Sequence, residues 1–291
     1  MNLYQGAIYV YSPSKAGLEF SQFAADFCEE RMGMDPPNAQ HRLEVGEYVE
    51  ILKSLKPDFI HHAECKRLIR NLLIEKGCDQ TKTYFDVPRI RTACAGDYLT
   101  SGLAYAFKPH RDTWYSTPMC QLNWWLPVFP IDPDNGMEFY LDYFDRPVRN
   151  SSYEFNYQDW NQTGRKQAHN QGKTDKRVQS EALDEIDTCD AVRLVCEPGG
   201  LILFSAAHLH GTVPNTTEET RFSIDFRTVN QLDLDGGATN VDSESTGTTM
   251  MDYLNLDDLS QFDDELIDQF REREPNVTYS TKLKIETDLS A

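Results

Sequence analysis

The stretch PGGLILFSAAHLHGTVPNTTEETRFSIDF, residues 198–226, decides how the rest of the chain is read. Two glycines lead into an apolar run at 201–204, and His208 and His210 follow it. An apolar run this short, bounded by turn residues, predicts a strand buried on both faces. Beyond a Pro, Asn and Thr turn the pattern alternates. Arg221, Ser223, Asp225 and Arg227 fall on one face, Phe222, Ile224 and Phe226 on the other. That is the period of a strand with one polar and one apolar side. If helices cover the apolar side, the arginines face inward, where a guanidinium fork can grip a dicarboxylate.

The same texture extends back to Tyr84 in the runs TYFDVPRIRTAC, LAYAFKPHRD, QLNWWLPVFP, MEFYLDYF and AVRLVCE, each bounded by Pro, Gly, Asn or Asp. No long helix intervenes, so an antiparallel sandwich or barrel is expected rather than a parallel α/β sheet. The first quarter reads as helices at about 14–33, 44–56 and 58–76. The fold class predicted is mainly β with flanking helices, packed on one side of a jelly roll. Residues 1–83 would be a helical support, 84–229 the catalytic core and 230–291 an acidic C-terminal extension. Within the core, residues 145–188 are polar yet carry Tyr153, Phe155, Tyr157 and Trp160, which suits a lid-like insertion. In the extension, DYLNLDDLSQFDDELIDQF (252–270) predicts an acidic amphipathic helix that packs on the core or on a partner subunit, a possible homodimer.

A histidine and a carboxylate two residues apart, His110 and Asp112, would leave one face of a strand together while Arg111 points away. They supply one nitrogen and one oxygen ligand. A third donor is available from His208 or His210, which completes the two-histidine, one-carboxylate set that leaves positions open on non-haem Fe(II). An arginine placed to hold a dicarboxylate makes 2-oxoglutarate the second component and O2 the third.

A net charge of −19 without any sustained Lys or Arg run argues against nucleic acid or an anionic membrane as partner. Seven scattered cysteines, none in a Cys-x-x-Cys pair, suggest neither a disulfide framework nor a zinc knuckle. The opening residues lack a signal-peptide pattern, and no run of eighteen apolar residues occurs, so a soluble cytoplasmic protein acting on a small molecule is expected.

The ordered set His110-Arg111-Asp112, Asn135-Gly136, Gly199-Gly200, His210-Gly211, Pro214-Asn215 and Arg221 resembles the phytanoyl-CoA dioxygenase-like branch of the Fe(II)/2-oxoglutarate oxygenases, over roughly residues 84–229. The resemblance implies a double-stranded β-helix core, Fe(II) on His110, Asp112 and His210, and 2-oxoglutarate on Arg221, with Ser223 as the serine of an Arg-x-Ser pair. His210 is preferred to His208 because its glycine and its spacing to Arg221, eleven residues on, match that branch. Where relatives continue from Asn-Gly into a Pro-Gly-Ser-His turn, this chain has MEFYLDYFDRPVRN, so the substrate side is its own. A carboxylate at Asp112 favours hydroxylation, since halogenating relatives carry a small residue there.

Further candidates follow from strand faces. Gln121, Asn123 and Trp125 share one face and could line the cavity, Asn123 meeting cosubstrate; Trp114 and Arg91 are candidate substrate contacts, and Arg227 is read as a structural ion-pair partner. Two other functions fit the composition. One is a non-redox, cupin-type metal-binding protein, for which Arg221 would have no purpose. The other is a protein side-chain hydroxylase whose acidic tail recruits a basic partner.

Overall fold

The computed structural model describes residues 2–96, 98–99, 108–164, 179–238 and 242–273. In chain order its strands are β1 (Tyr9–Tyr11), β2 (Thr83–Phe85), β3 (Arg89–Ala93), β4 (Leu122–Pro127), β5 (Met137–Phe139), β6 (Val192–Leu194), β7 (Leu201–Ser205), β8 (His210–Thr212), β9 (Arg221–Asn230) and β10 (Leu254–Asn255). Half of the expected strand through LAYAFKPHRD, residues 103–107, lies outside the described residues.

β9 organises the larger, seven-stranded sheet, which runs β1-β7-β4-β9-β2-β10 with β3 also paired to β9. Every pairing is antiparallel. β9 is long enough to carry β4 along one edge, with Asn123 opposite Arg227, and β3 then β2 along the other. A smaller antiparallel sheet runs β6-β5-β8. The larger sheet takes strands from all three sequence segments: β1 from the helical region and β10 from the C-terminal extension.

Alternation sorts the two faces as the pattern requires. Phe222, Ile224 and Phe226 of β9, Leu201 and Leu203 of β7, and Trp124 and Leu126 of β4 join a core shared with the helices. Ile202 and Phe204 of β7 and Trp125 of β4 point the other way, onto Met137 and Phe139 of the small sheet. β7 is buried at every position, which accounts for its unbroken apolar run.

The helices α1 (Lys15–Met32), α2 (Val45–His61) and α3 (Ala63–Glu75) cover the outer face. Ser14 accepts the Gly17 amide to start α1, and Gly33 ends it at φ +66°. The sequence places the α2–α3 break at Pro57, but the chain turns at His62, which caps α3 by accepting the Glu64 amide. Leu52, Leu55 and Phe59 are fully buried, so the apolar stripe runs straight through Pro57. Each such burial is worth about 1.5–3 kcal/mol, which offsets the one helical hydrogen bond that proline cannot donate. Gly199, at φ +86°, lets the 198–200 turn sit against α1; an added Cβ would lie 2.6 Å from Leu18 Cδ2.

The C-terminal extension departs from expectation. Its helix is confined to Asp264–Glu272, while residues 250–262 run as a short turn, β10 and a second turn with Leu259 at φ +62°. Leu256 and Leu259 mimic helical spacing, yet Leu256 belongs to the main core and Tyr253 and Phe262 pack with Tyr84. Phe262 stacks on Tyr84 at 3.6 Å, which ties the extension to the core.

Candidate metal centre

Residues 110 and 210 form an isolated antiparallel bridge in which each amide donates to the other's carbonyl, at 2.9 and 3.0 Å. Two imidazoles a hundred positions apart are thereby set side by side, their ring centres 4.4 Å apart. Asp112 joins them by a route other than strand alternation. It opens a 3-10 turn, Asp112–Tyr115, instead of continuing a strand, and its Oδ1 lies 3.4 Å from His110 Nε2. One ligand atom from each of His110, Asp112 and His210 falls within 4.8 Å of the others, the one such His, Cys, Asp or Glu cluster among the described residues.

Both histidines are oriented by their own backbone. His110 Nδ1 lies 2.8 Å from the Lys108 carbonyl, and His210 Nδ1 2.9 Å from the His208 carbonyl. A carbonyl only accepts, so each Nδ1 carries the proton and each Nε2 keeps a lone pair for a metal. Burial, with the His110 ring beside it, pushes His210 down to about 4, so it is a neutral ligand at neutral pH. Burial alone would raise the Asp112 carboxyl, but its neighbours, the Arg227 charge among them, outweigh it and hold the group ionised, well below the usual range. Phe139 and Phe204 flank His210, with ring centres 6.0 and 5.0 Å away, so the triad sits between the two sheets. The donor set of two imidazoles and one carboxylate fits Fe(II) and leaves room for a bidentate cosubstrate and O2.

Arg221 reaches across the same interior. Its Nη1 donates to the carbonyls of Asn135 and Gly136, at 3.2 and 2.9 Å, and its guanidinium lies 5.6 Å from the Trp125 ring. The Asn-Gly turn is therefore an anchor for the arginine. Arg221 Nε and Ser223 Oγ are buried and make no hydrogen bond to any described residue. Two orphaned donors on alternate residues of one strand are costly unless an acceptor joins them, and a carboxylate fits. Burial pulls Arg221 down to about 10, which leaves it charged at neutral pH.

Other candidates fall elsewhere. Arg91 is engaged at 2.6 Å by Asp225, two residues along β9 from its register partner Ser223, and is already paired where a substrate grip was expected. Arg227 binds Asp86 at 3.1 Å and approaches Asp112 Oδ2 at 3.9 Å, so the ion-pair reading extends to a metal ligand. Gln121 is fully buried and spent on protein partners, Asn123 and Tyr253. Trp114, which sits in the 3-10 turn, is also fully buried, its Nε1 donating to Asp242 at 2.9 Å.

That contact exposes what the sequence did not signal. Arg111, between the two ligands, is fully buried and binds Asp242 at 3.1 Å and the carbonyls of Ala207, Tyr143 and Arg146. Asp242 also accepts from Val148 N at 3.0 Å. The pair clamps the ligand loop to the residue before His208, to the start of the insertion and to the C-terminal extension. A lone acidic residue 131 positions downstream gives no local cue.

No known protein-family profile matches the chain, and no curated protein matches it in sequence. Solved structures that align with the chain include the apo non-heme monooxygenase ThoJ, at 14% identity over 78% of this chain and 75% of that one, with a TM-score of 0.41. The epimerase SnoN in complex with Fe3+, alpha ketoglutarate and nogalamycin RO aligns at 12% identity over 78% and 81%, with a TM-score of 0.42. EvdO2 from Micromonospora carbonacea var. aurantiaca, complexed with 2-oxoglutarate, aligns at 14% over 60% and 62%, with a TM-score of 0.38. No helix among the described residues is long and apolar enough to cross a membrane.

Proposed function

We propose that the chain is an Fe(II)/2-oxoglutarate-dependent dioxygenase of the phytanoyl-CoA dioxygenase-like type, with a double-stranded β-helix core, that hydroxylates an unactivated C–H bond of a small molecule. An amino-acid-like compound or a specialised metabolite is the substrate class. One conjunction carries the reading: a two-histidine, one-carboxylate cluster and a buried arginine with an unpartnered Nε face one interior. A non-redox metal site has no use for the second.

When bound, iron and 2-oxoglutarate supply the oxidising chemistry, with the keto acid converted to succinate and CO2. The chain supplies position and exclusion of water. His110 and His210 offer Nε2, with Nδ1 held by carbonyls, and Asp112 offers a carboxylate whose charge Arg227 shares. Arg221 and Ser223 seat the distal carboxylate of the cosubstrate, and Asn123 offers an amide to the same ligand. Trp125, Phe139 and Phe204 keep the interior dry. The lid-like role expected of residues 145–188 rests in part on residues 165–178, which lie outside the described residues.

The test is spectroscopic. Anaerobic protein with Fe(II) should develop a visible metal-to-ligand charge-transfer band on addition of 2-oxoglutarate, and a substrate screen should then accelerate succinate release. A folded, iron-loaded sample without the band would overturn the proposal.

A further inference from the structure

The C-terminal extension sends one side chain into the interior of the larger sheet. Tyr253, immediately before β10, is 1% exposed, and its hydroxyl donates to Gln121 Oε1 at 2.6 Å. Gln121 Nε2 in turn donates to Asn123 Oδ1 at 2.9 Å. Gln121 has no exposure and Asn123 only 5%, so this polar chain lies within the fold and its direction has consequences.

Each link fixes the next. The phenol is buried well away from ionisation and stays an O–H donor. Its acceptor among the described residues is the Gln121 carbonyl oxygen. With the phenol O–H directed at Gln121 and the Thr249 hydroxyl also beside the phenol, turning that amide over would set an N–H against the O–H, a cost of about 1–3 kcal/mol for a buried group. Gln121 therefore presents NH2 to Asn123, and Asn123 must answer with its oxygen. The Asn123 NH2 is left at the end of the chain, with no hydrogen bond among the described residues. Its strand position sets its direction. Asn123 lies opposite Arg227 on β9 and Phe204 on β7, and it shares its face with Trp125, on the inter-sheet side where His210 stands. Arg227 reaches Asp112 from the same position.

We propose that Tyr253 is a positioning residue: acting through Gln121, it fixes the Asn123 amide with its NH2 towards the metal centre, as a donor to a carboxylate or keto oxygen of the cosubstrate. The inference rests on the oxygenase reading. It adds that the extension takes part in cosubstrate binding, beyond packing on the core.

A double-mutant cycle tests it, read as the dissociation constant of 2-oxoglutarate from the anaerobic charge-transfer band, with Fe(II) affinity and Tm measured alongside. Tyr253→Phe should weaken 2-oxoglutarate about threefold to tenfold, the equivalent of one neutral hydrogen bond, with Fe(II) affinity unchanged. Asn123→Ala should weaken it at least as much, and adding Tyr253→Phe to Asn123→Ala should weaken it no further. Gln121→Leu, which cuts the chain in the middle, should reproduce the Tyr253→Phe shift. Equal losses from Tyr253→Phe in both backgrounds, or a lower Tm with an unchanged dissociation constant, would overturn the proposal and leave a packing role. A wild-type protein that gives no band sinks the oxygenase reading and this inference together. A normal wild-type band with an unchanged Tyr253→Phe constant sinks this inference alone.

Discussion

Asp242→Asn probes the clamp behind the metal ligands. The native carboxylate accepts from Arg111 Nε, Trp114 Nε1 and Val148 N, and it faces a guanidinium that has no exposed surface. Burial already lowers Arg111 from its ordinary value, and the Asp242 charge acts against that shift. Replacing the carboxylate by an amide leaves Arg111 charged and uncompensated, and one of the two former oxygens becomes a donor facing donors. Breaking a buried pair from one side costs about 3–5 kcal/mol. An unfolding entropy of about 2.1 cal/mol/K per residue gives a chain of 291 residues about 0.6 kcal/mol/K. The expected fall in Tm is therefore about 5–8 °C, read by calorimetry on the metal-free protein. Fe(II) affinity should fall as well, because Arg111 stands between His110 and Asp112. In the Arg111→Met, Asp242→Asn pair, the double variant should lose less than the sum of the single losses. A Tm within about 1 °C of wild type for Asp242→Asn would refute the reasoning.

Asp112→Ala should abolish the 2-oxoglutarate band and lower Fe(II) affinity more than a hundredfold, by about 3 kcal/mol or more, in a protein whose circular dichroism matches wild type; titration calorimetry checks the metal term. Arg221→Lys keeps a charge but loses the fork, so the 2-oxoglutarate dissociation constant should rise about tenfold to a hundredfold while Fe(II) binding stays constant, as equilibrium titration of the two ligands would show. Burial also pushes His208 down to about 3, alongside His210 at about 4. An imidazole in the unfolded chain takes up its proton near 6.5, so unfolding binds protons below that pH. The contribution of these rings to stability is complete above about pH 6.5 and is lost as the pH falls towards about 4. Urea midpoints of the metal-free protein between pH 7 and 4 should decline accordingly, and His208→Phe should shallow the decline.

The sequence was legible where period and chemistry coincide. The ten-residue β9 shows both faces in its alternation, and the structure buries Phe222, Ile224 and Phe226 under the helices as that alternation demands. The same alternation sets Arg221 and Ser223 on the opposite, polar face. His110 and Asp112 were found by their spacing, although a 3-10 turn brings them together where a strand was expected. Trp114, a candidate substrate contact from its place just after those ligands, is carried by the same turn onto Asp242. The expected boundary between helices at 44–56 and 58–76 falls on Pro57, while the buried stripe across it shows only once α2 packs. Contacts between remote residues left no local trace. Asp242 meets Arg111 and Tyr253 meets Gln121 across more than a hundred positions, and neither partner has a spacing that points to the other.

The bridge between residues 110 and 210 also constrains how the protein is made. Those two backbones cannot exchange hydrogen bonds until β7 and β8 have closed, and Arg111 stays unneutralised in the interior until Asp242 arrives. On the oxygenase reading, a nascent chain therefore has no organised place for iron until the stretch bearing Asp242 and Tyr253 has left the ribosome. Metal loading becomes a late step of biogenesis, one that a stalled or prematurely terminated translation product would not reach.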